Sequence, residues 1–196
     1  MKVALTGGIA CGKSLLSNFL RELGVETIDA DDVVHELIPD PAERRRIAAE
    51  VFADPEKRRA LEAKIHPLVK EKIDRWFDAT NGTDRTNGTG ACPGSPGGLG
   101  GPVRVAIIPL LFEAHWEKNF DIICCVVSSR EKQIERMMTI RGMTLAEAEA
   151  RLAAQMPVEE KARRSQYVIR NDGTAEELRA EAQKLVDTLC ASASLR

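Results

Sequence analysis

The sequence predicts an α/β fold in three layers, a parallel central sheet with helices on both faces. Three observations lead there. The opening run Lys2-Val3-Ala4-Leu5-Thr6 reads as a short buried strand and leads straight into the glycine-rich segment Gly7-Gly8-Ile9-Ala10-Cys11-Gly12-Lys13-Ser14. Residues 103–108 and 121–127 are almost continuously apolar, as strands covered on both faces are. Between these runs, apolar residues recur at helical spacing, so strand and helix alternate along the chain.

Residues 15–23 read as a helix with Leu15, Leu16, Phe19, Leu20 and Leu23 on one stripe. A second strand, 25–28, ends at Asp29-Ala30-Asp31-Asp32. Residues 42–79 are charged and helical, with Ile47, Val51, Leu61, Ile65, Leu68, Val69, Ile73, Trp76 and Phe77 at helical spacing. Pro41, Pro55 and Pro67 are expected to cut this stretch into three or four helices, with His66-Pro67 ending one of them. The block is too long for a simple crossover and reads as a helical insert that holds a substrate. Residues 79–102 carry eight of the chain's 14 glycines, three prolines and almost no apolar side chains, the composition of a loosely ordered surface loop. Two glycosylation sequons fall there, at Asn81 and Asn87, but nothing else in the chain suggests secretion. After the strands at 103–108 and 121–127, helices are expected at 131–140 and 145–154, the latter capped by Thr144 with Glu147 as its box partner. A last strand at 167–169 and a turn at Asn171-Asp172-Gly173 lead to a closing helix, capped by Thr174 with Glu177 and running to about Cys190.

The glycine-rich segment fits the spacing G-x-x-x-x-G-K-[ST] between a strand and the helix it opens. Its backbone N–H groups can curl into an anion-binding nest, reinforced by the helix N-terminus. Lys13 is then placed on the β- and γ-phosphates of a nucleoside triphosphate, and the Ser14 hydroxyl on Mg²⁺. Gly8, Ile9, Ala10, Cys11, Gly12 and Leu15 complete the nucleotide-binding run. The same field is expected to lower the Cys11 thiol pKa and make that cysteine reactive, unless the thiol simply fills a small-residue position.

The chain has 196 residues, 43% hydrophobic and 30% charged, with a net charge of −2. That suits one compact α/β unit with insertions, and gives no electrostatic case for a nucleic-acid or anionic-membrane partner. No apolar run approaches the ~20 residues of a membrane span, and the first strand does not read as a signal peptide. Five scattered cysteines, Cys11, Cys92, Cys124, Cys125 and Cys190, show no metal-ligand spacing. A reducing cytoplasm is the simplest setting.

Ligands of open α/β sheets bind at the carboxyl ends of the strands, where Asp29, Asp31 and Asp32 cluster. A carboxylate there can take the proton of an attacking hydroxyl, although an Asp at a helix start is also a common cap. Arg136, Arg141, Arg151, Lys161, Arg163 and Arg164 make residues 136–164 basic. One to three of them are expected to touch nucleotide from a helical lid, and the rest to pair with glutamates on a solvated face. His66 alone reads as structural. Glu113, in Pro109-Leu110-Leu111-Phe112-Glu113 after the third strand, stands where it can orient a substrate.

Together these residues resemble the dephospho-CoA kinase family. The likeness runs through Leu5-Thr6-Gly7-Gly8-Ile9 with Gly12-Lys13-Ser14, Ile28-Asp29-Ala30-Asp31, Ile65-His66-Pro67, Pro109-Leu110-Leu111-Phe112-Glu113, Ala153-Ala154-Gln155-Met156-Pro157, and Tyr167-Val168-Ile169 with Asn171 and Gly173. The resemblance implies a P-loop kinase-like fold with a core at 1–34, 103–135 and 166–190, a helical CoA-binding insert at 35–79, a glycine-rich loop at 80–102, a lid at 136–165 and a tail at 191–196. It implies ATP- and Mg²⁺-dependent phosphorylation of the 3′-hydroxyl of dephospho-CoA. Asp31 would be the general base and Thr6 a phosphate-side contact. His35, His66 and Phe112 would lie on the substrate side, and Asn171 beside adenine. Departures occur at Leu15, where Thr is usual, at Ile107, at Gln166, and at Ile140, a frequent lid-arginine position with Arg141 beside it. Arg141 is therefore the expected lid arginine. A kinase of another small molecule would keep the loop and lid but use a different insert. A guanine-nucleotide switch would carry N-K-x-D, whereas here Asn119 is followed by Phe120.

Overall fold

The computed structural model describes residues 1–79 and 103–194. The glycine-rich stretch 80–102, with its two sequons and Cys92, lies outside the described residues. The chain divides into two compact units, one from Met1–Thr27 with Arg85–Arg196, the other from Ile28–Asp84. Its strands are β1 (Lys2–Gly7), β2 (Glu26–Asp29), β3 (Arg104–Ile107), β4 (Ile122–Val127) and β5 (Tyr167–Arg170). Its helices are α1 (Lys13–Glu22), α2 (Ala30–Leu37), α3 (Pro41–Ala53), α4 (Pro55–Asp78), α5 (Arg130–Arg141), α6 (Leu145–Ala153), α7 (Val158–Arg163) and α8 (Ala175–Ser194).

The strands form one sheet in the order β2-β3-β1-β4-β5. β1 pairs parallel with β3 and β4, and β4 parallel with β5. Leu5 stands opposite Ile107 on one side and Cys124 on the other. Every residue of β3 and β4 is buried, which is why those runs are so uniformly apolar. The exception, Arg104, is matched by Glu26 at 2.5 Å. α1 packs on α8, and α7 on β1 and β4. Leu16 and Leu20 of α1 join Leu178, Val186 and Leu189 of α8 and Val3, Leu5, Cys124 and Val126 of the strands in one core. β3 and β4 flank β1 on opposite sides, the kind of switch point at whose carboxyl end open α/β sheets bind ligands. The glycine-rich segment begins at that end.

Both expected capping boxes form, Thr144 with Glu147 before α6 and Thr174 with Glu177 before α8. α8 continues through Ser194 rather than ending near Cys190. The expected tail holds neither Gly nor Pro to stop a helix. The short helix α7 is additional to the elements expected from sequence.

In the second unit α2 and α3 pack on α4. Asp40 and Asp54 cap α3 and α4, with Pro41 and Pro55 at their first positions, where a missing N–H costs nothing. Pro67 behaves differently from the expectation. α4 runs through it unbroken for 24 residues, so His66-Pro67 lies in mid-helix instead of ending one. Val69, Ile73 and Phe77 follow at four-residue spacing, all buried. Their burial, about 1.5–3 kcal/mol each, offsets the ~3 kcal/mol of an interior proline.

Candidate active site

The loop from Gly7 to Gly12 leaves the central strand and enters α1 at Lys13. Its backbone is unusual at Ala10, with φ 56°, and at Gly12, with φ 91°. A Cβ at Gly12 would lie 2.1 Å from the Asn171 amide nitrogen, so this position needs glycine on both counts. The carbonyls of the loop are tied down one after another. Lys13 Nζ donates to Gly7 O at 2.9 Å and to Gly8 O at 2.7 Å. Gln133 Nε2 donates to Ile9 O at 2.7 Å, Arg136 Nη1 to Ala10 O at 3.3 Å and Asn171 Nδ2 to Cys11 O at 2.9 Å. Leu16 N closes on Gly12 O at 3.0 Å. In a planar trans peptide the N–H points opposite to the C=O. Bonds that fix these carbonyls fix the N–H groups of the same peptides, which is what an anion nest requires.

The carbonyl clamps brace each other. Arg136 also donates to Ser128 Oγ at 2.9 Å and to Asn171 O at 2.8 Å, and Ser128 Oγ donates to Asn171 O at 2.7 Å. Sequence reasoning named Arg136 among the lid arginines but missed Gln133 and Ser128. The available signal was weak: Gln133 sits four residues before Met137, on what proves to be the buried face of α5. Asn171, expected beside adenine, spends its amide on the loop and is 5% exposed.

Ser14 lies exposed in the first turn of α1, and Leu15 is 39% exposed. Cys11 is wholly buried. Burial pushes its thiol up from the usual value, outweighing the nearby Lys13 charge. The expected reactive thiol is thus corrected, because desolvation disfavours the thiolate more than the ammonium favours it. Burial likewise pushes Cys124 and Cys125 up to about 12.

Thr6 is fully buried on β1 and its hydroxyl donates to Pro109 O at 3.3 Å. Phe112 is 1% exposed, with the Arg164 guanidinium 4.4 Å from its ring centre. Glu113 Oε1 pairs with Lys161 Nζ at 2.8 Å and accepts from Met156 N at 3.2 Å. Its Oε2 is buried without a hydrogen-bond partner among the described residues. Arg141, at the end of α5, is exposed, and Ile140 beside it is 77% exposed. Within the basic stretch, Arg164 pairs with a glutamate, Glu117, at 2.6 Å.

In the second unit Asp29 caps α2, its carboxylate accepting from Asp31 N at 2.9 Å. Asp31 and Asp32 occupy the first turn and are exposed. One of the three aspartates is therefore the cap that sequence allowed for. His35 is exposed in the last turn of α2, and His66 is half-buried on α4.

Known proteins agree with this architecture. The family model for dephospho-CoA kinase matches residues 1–43 and 99–177. A dephospho-CoA kinase of Synechococcus sp. strain JA-3-3Ab is 36% identical over 207 residues, covering 93% of this chain and 90% of its own length. Among solved structures, TT1252 from Thermus thermophilus is 29% identical, covers 96% of this chain and 97% of its own, and superposes with a TM-score of 0.73. Dephospho-CoA kinase from Campylobacter jejuni is 24% identical, with coverages of 98% and 99% and a TM-score of 0.65, a likeness of fold alone.

Proposed function

The chain belongs to the dephospho-CoA kinase family, and on that footing we propose how its residues divide the work. The protein transfers the γ-phosphoryl group of ATP to the 3′-hydroxyl of the dephospho-CoA ribose, giving CoA and ADP, the last step of CoA biosynthesis. The substrate oxygen bonds to the γ-phosphorus as the bond to the β–γ bridging oxygen breaks.

The observation that carries the assignment of roles is the run of tethered carbonyls from Gly7 to Gly12. It supports a nest already shaped for phosphate, so little reorganisation is needed as charge shifts toward ADP. Residues Gly8, Ile9, Ala10, Cys11, Gly12, Lys13, Ser14 and Leu15 hold the triphosphate, with Lys13 neutralising the β- and γ-oxygens. Among the described residues no group of three or more His, Cys, Asp or Glu can cage a metal. The exposed Ser14 hydroxyl fits an ion held mainly by phosphate and water, which is how Mg²⁺ commonly binds. When bound, Mg²⁺ supplies charge neutralisation on the phosphates.

Asp31 is the general base for the 3′-hydroxyl. Its exposed place in the first turn after β2 supports that role, while Asp29 serves as the cap. Arg141 reaches the transferring phosphoryl from the lid. Thr6, on the phosphate side, and Asn171, beside adenine, act through the carbonyls they hold, Pro109 O and Cys11 O. His35, His66 and Glu113 face the acceptor, and Phe112 contributes indirectly by supporting Arg164. The helical insert binds the CoA moiety, and the enzyme works in the cytoplasm on small molecules, not on nucleic acid or at a membrane. No helix among the described residues is long and apolar enough to cross a membrane.

The test is a coupled ADP-release assay with ATP, Mg²⁺ and dephospho-CoA, run beside nucleoside monophosphates as acceptors. Turnover with dephospho-CoA, with CoA identified by mass, is expected. Turnover only with a monophosphate would refute the reading.

A further inference from the structure

Gln133 is a buried polar side chain that none of the roles above uses. It is 3% exposed, and buried amides are almost always committed to hydrogen bonds. Its Nε2 donates to Ile9 O at 2.7 Å, joining residues 124 apart in sequence. The approach is close enough that a Cβ on Gly8 would stand 2.6 Å from that nitrogen. The carbonyl it holds shares a planar peptide with the Ala10 N–H. Ala10 itself has φ 56°, a left-handed conformation that costs an alanine about 1–2 kcal/mol. That peptide therefore has an unstrained alternative, a flip that would turn the carbonyl toward the phosphates and the N–H away from them.

We propose that Gln133 is a positioning residue for phosphoryl transfer, holding the Ile9–Ala10 peptide with its N–H facing the β-phosphate. This rests on the phosphate-loop reading given above. Arg136 and Asn171 hold the next two carbonyls, but they are also joined to each other and to Ser128, so their loss disturbs several bonds at once. Gln133 reaches the loop through a single bond to Ile9 O, and its substitution isolates one peptide.

The experiment is calorimetric binding of ADP and of CoA to the parent protein and to Gln133→Met, which keeps length and removes the donor. ADP carries the β-phosphate and reports on the nest, whereas CoA reports on the acceptor side. The expected result is an ADP Kd raised about tenfold or more, the scale of one lost hydrogen bond with its acceptor left unpaired. The CoA Kd should stay within twofold and the melting temperature should fall by only a few degrees, the share of that one bond in folding. Gln133→Glu gives the same shape with an acceptor in place of the donor, and carries the test if the Met variant does not fold. An ADP Kd changed less than threefold in a folded variant overturns the proposal. So does a parallel loss of ADP and CoA binding, the sign of a merely structural role. A parent protein that binds no ADP would instead refute the phosphate-loop reading itself.

Discussion

Lys161 carries a charge in a place where the fold excludes water. It is fully buried, with Nζ 2.8 Å from Glu113 Oε1 and 2.8 Å from Pro109 O. Lys161→Met keeps the aliphatic stem and removes the ammonium. The charge-assisted bond to Glu113 is worth about 1.5–3 kcal/mol and the bond to the carbonyl about 0.5–1.5 kcal/mol. Removing one partner of a dry ion pair costs about 3–5 kcal/mol. Glu113 keeps the Met156 N–H on its Oε1, so its stranded charge retains one partner and the loss falls to about 2–3 kcal/mol. For a chain of this size that lowers Tm by roughly 4–12 °C. The double variant Lys161→Met/Glu113→Leu removes both charges, and apolar replacement of a whole pair is close to neutral. It should regain at least half of the lost stability. Urea unfolding at pH 7, followed by circular dichroism, measures all three proteins. A loss under about 1 kcal/mol in the single variant, or a double variant whose losses simply add, would refute the argument.

Asp31→Asn should leave ADP binding unchanged and lower kcat by ~10²-fold or more, and near-normal turnover would remove Asp31 as base. Lys13→Ala should weaken ATP binding and abolish measurable transfer, because it removes both the phosphate-side cation and the tether on Gly7 O and Gly8 O. Arg136→Ala should lower both ADP affinity and Tm, since it frees Ala10 O, Ser128 and Asn171 O together. Arg141→Ala, at an exposed helix end, should leave Tm unchanged and lower kcat; a silent Arg141→Ala would remove that residue from the lid's chemistry. Cys124 and Cys125 ionise near 12 in the folded chain against an ordinary 9.0. As pH rises from 9 toward 12 the unfolded chain loses thiol protons that the folded chain keeps. Stability therefore falls over that window by up to ~1.4 kcal/mol per pH unit for each thiol. A Cys124→Ala/Cys125→Ala variant should show a shallower decline in urea unfolding between pH 8 and 11, and an unchanged slope would contradict the assignment.

Fold class, strand runs and both capping boxes were legible because they depend on local chemistry: buried strands must be apolar, and a Thr three residues before a Glu can satisfy a helix start by itself. The phosphate loop was legible for the same reason, its glycines and Lys13 being required by the backbone they form. What sequence misjudged were balances between local and distant terms. Pro67 was read as a helix end on its own cost, yet Val69, Ile73 and Phe77 bury enough surface to carry α4 through it. Cys11 was left between a thiol activated by Lys13 and the nest and a filler of a small-residue position, and its complete burial, which outweighs the Lys13 charge, favours the second. Glu113 was placed near the substrate, and its buried partner Lys161, 48 residues on, could not be paired with it from sequence.

The sequence alone determined that this chain carries a phosphate-loop motif between a first strand and a first helix, and that it resembles the dephospho-CoA kinase family. Only the tertiary structure decided which side chains shape that loop. Gln133, Arg136 and Asn171 reach Ile9, Ala10 and Cys11 across 124, 126 and 160 residues of chain. No periodicity or motif encodes such bonds, because they exist only once β4 and β5 have carried α5 and the residue after β5 alongside β1.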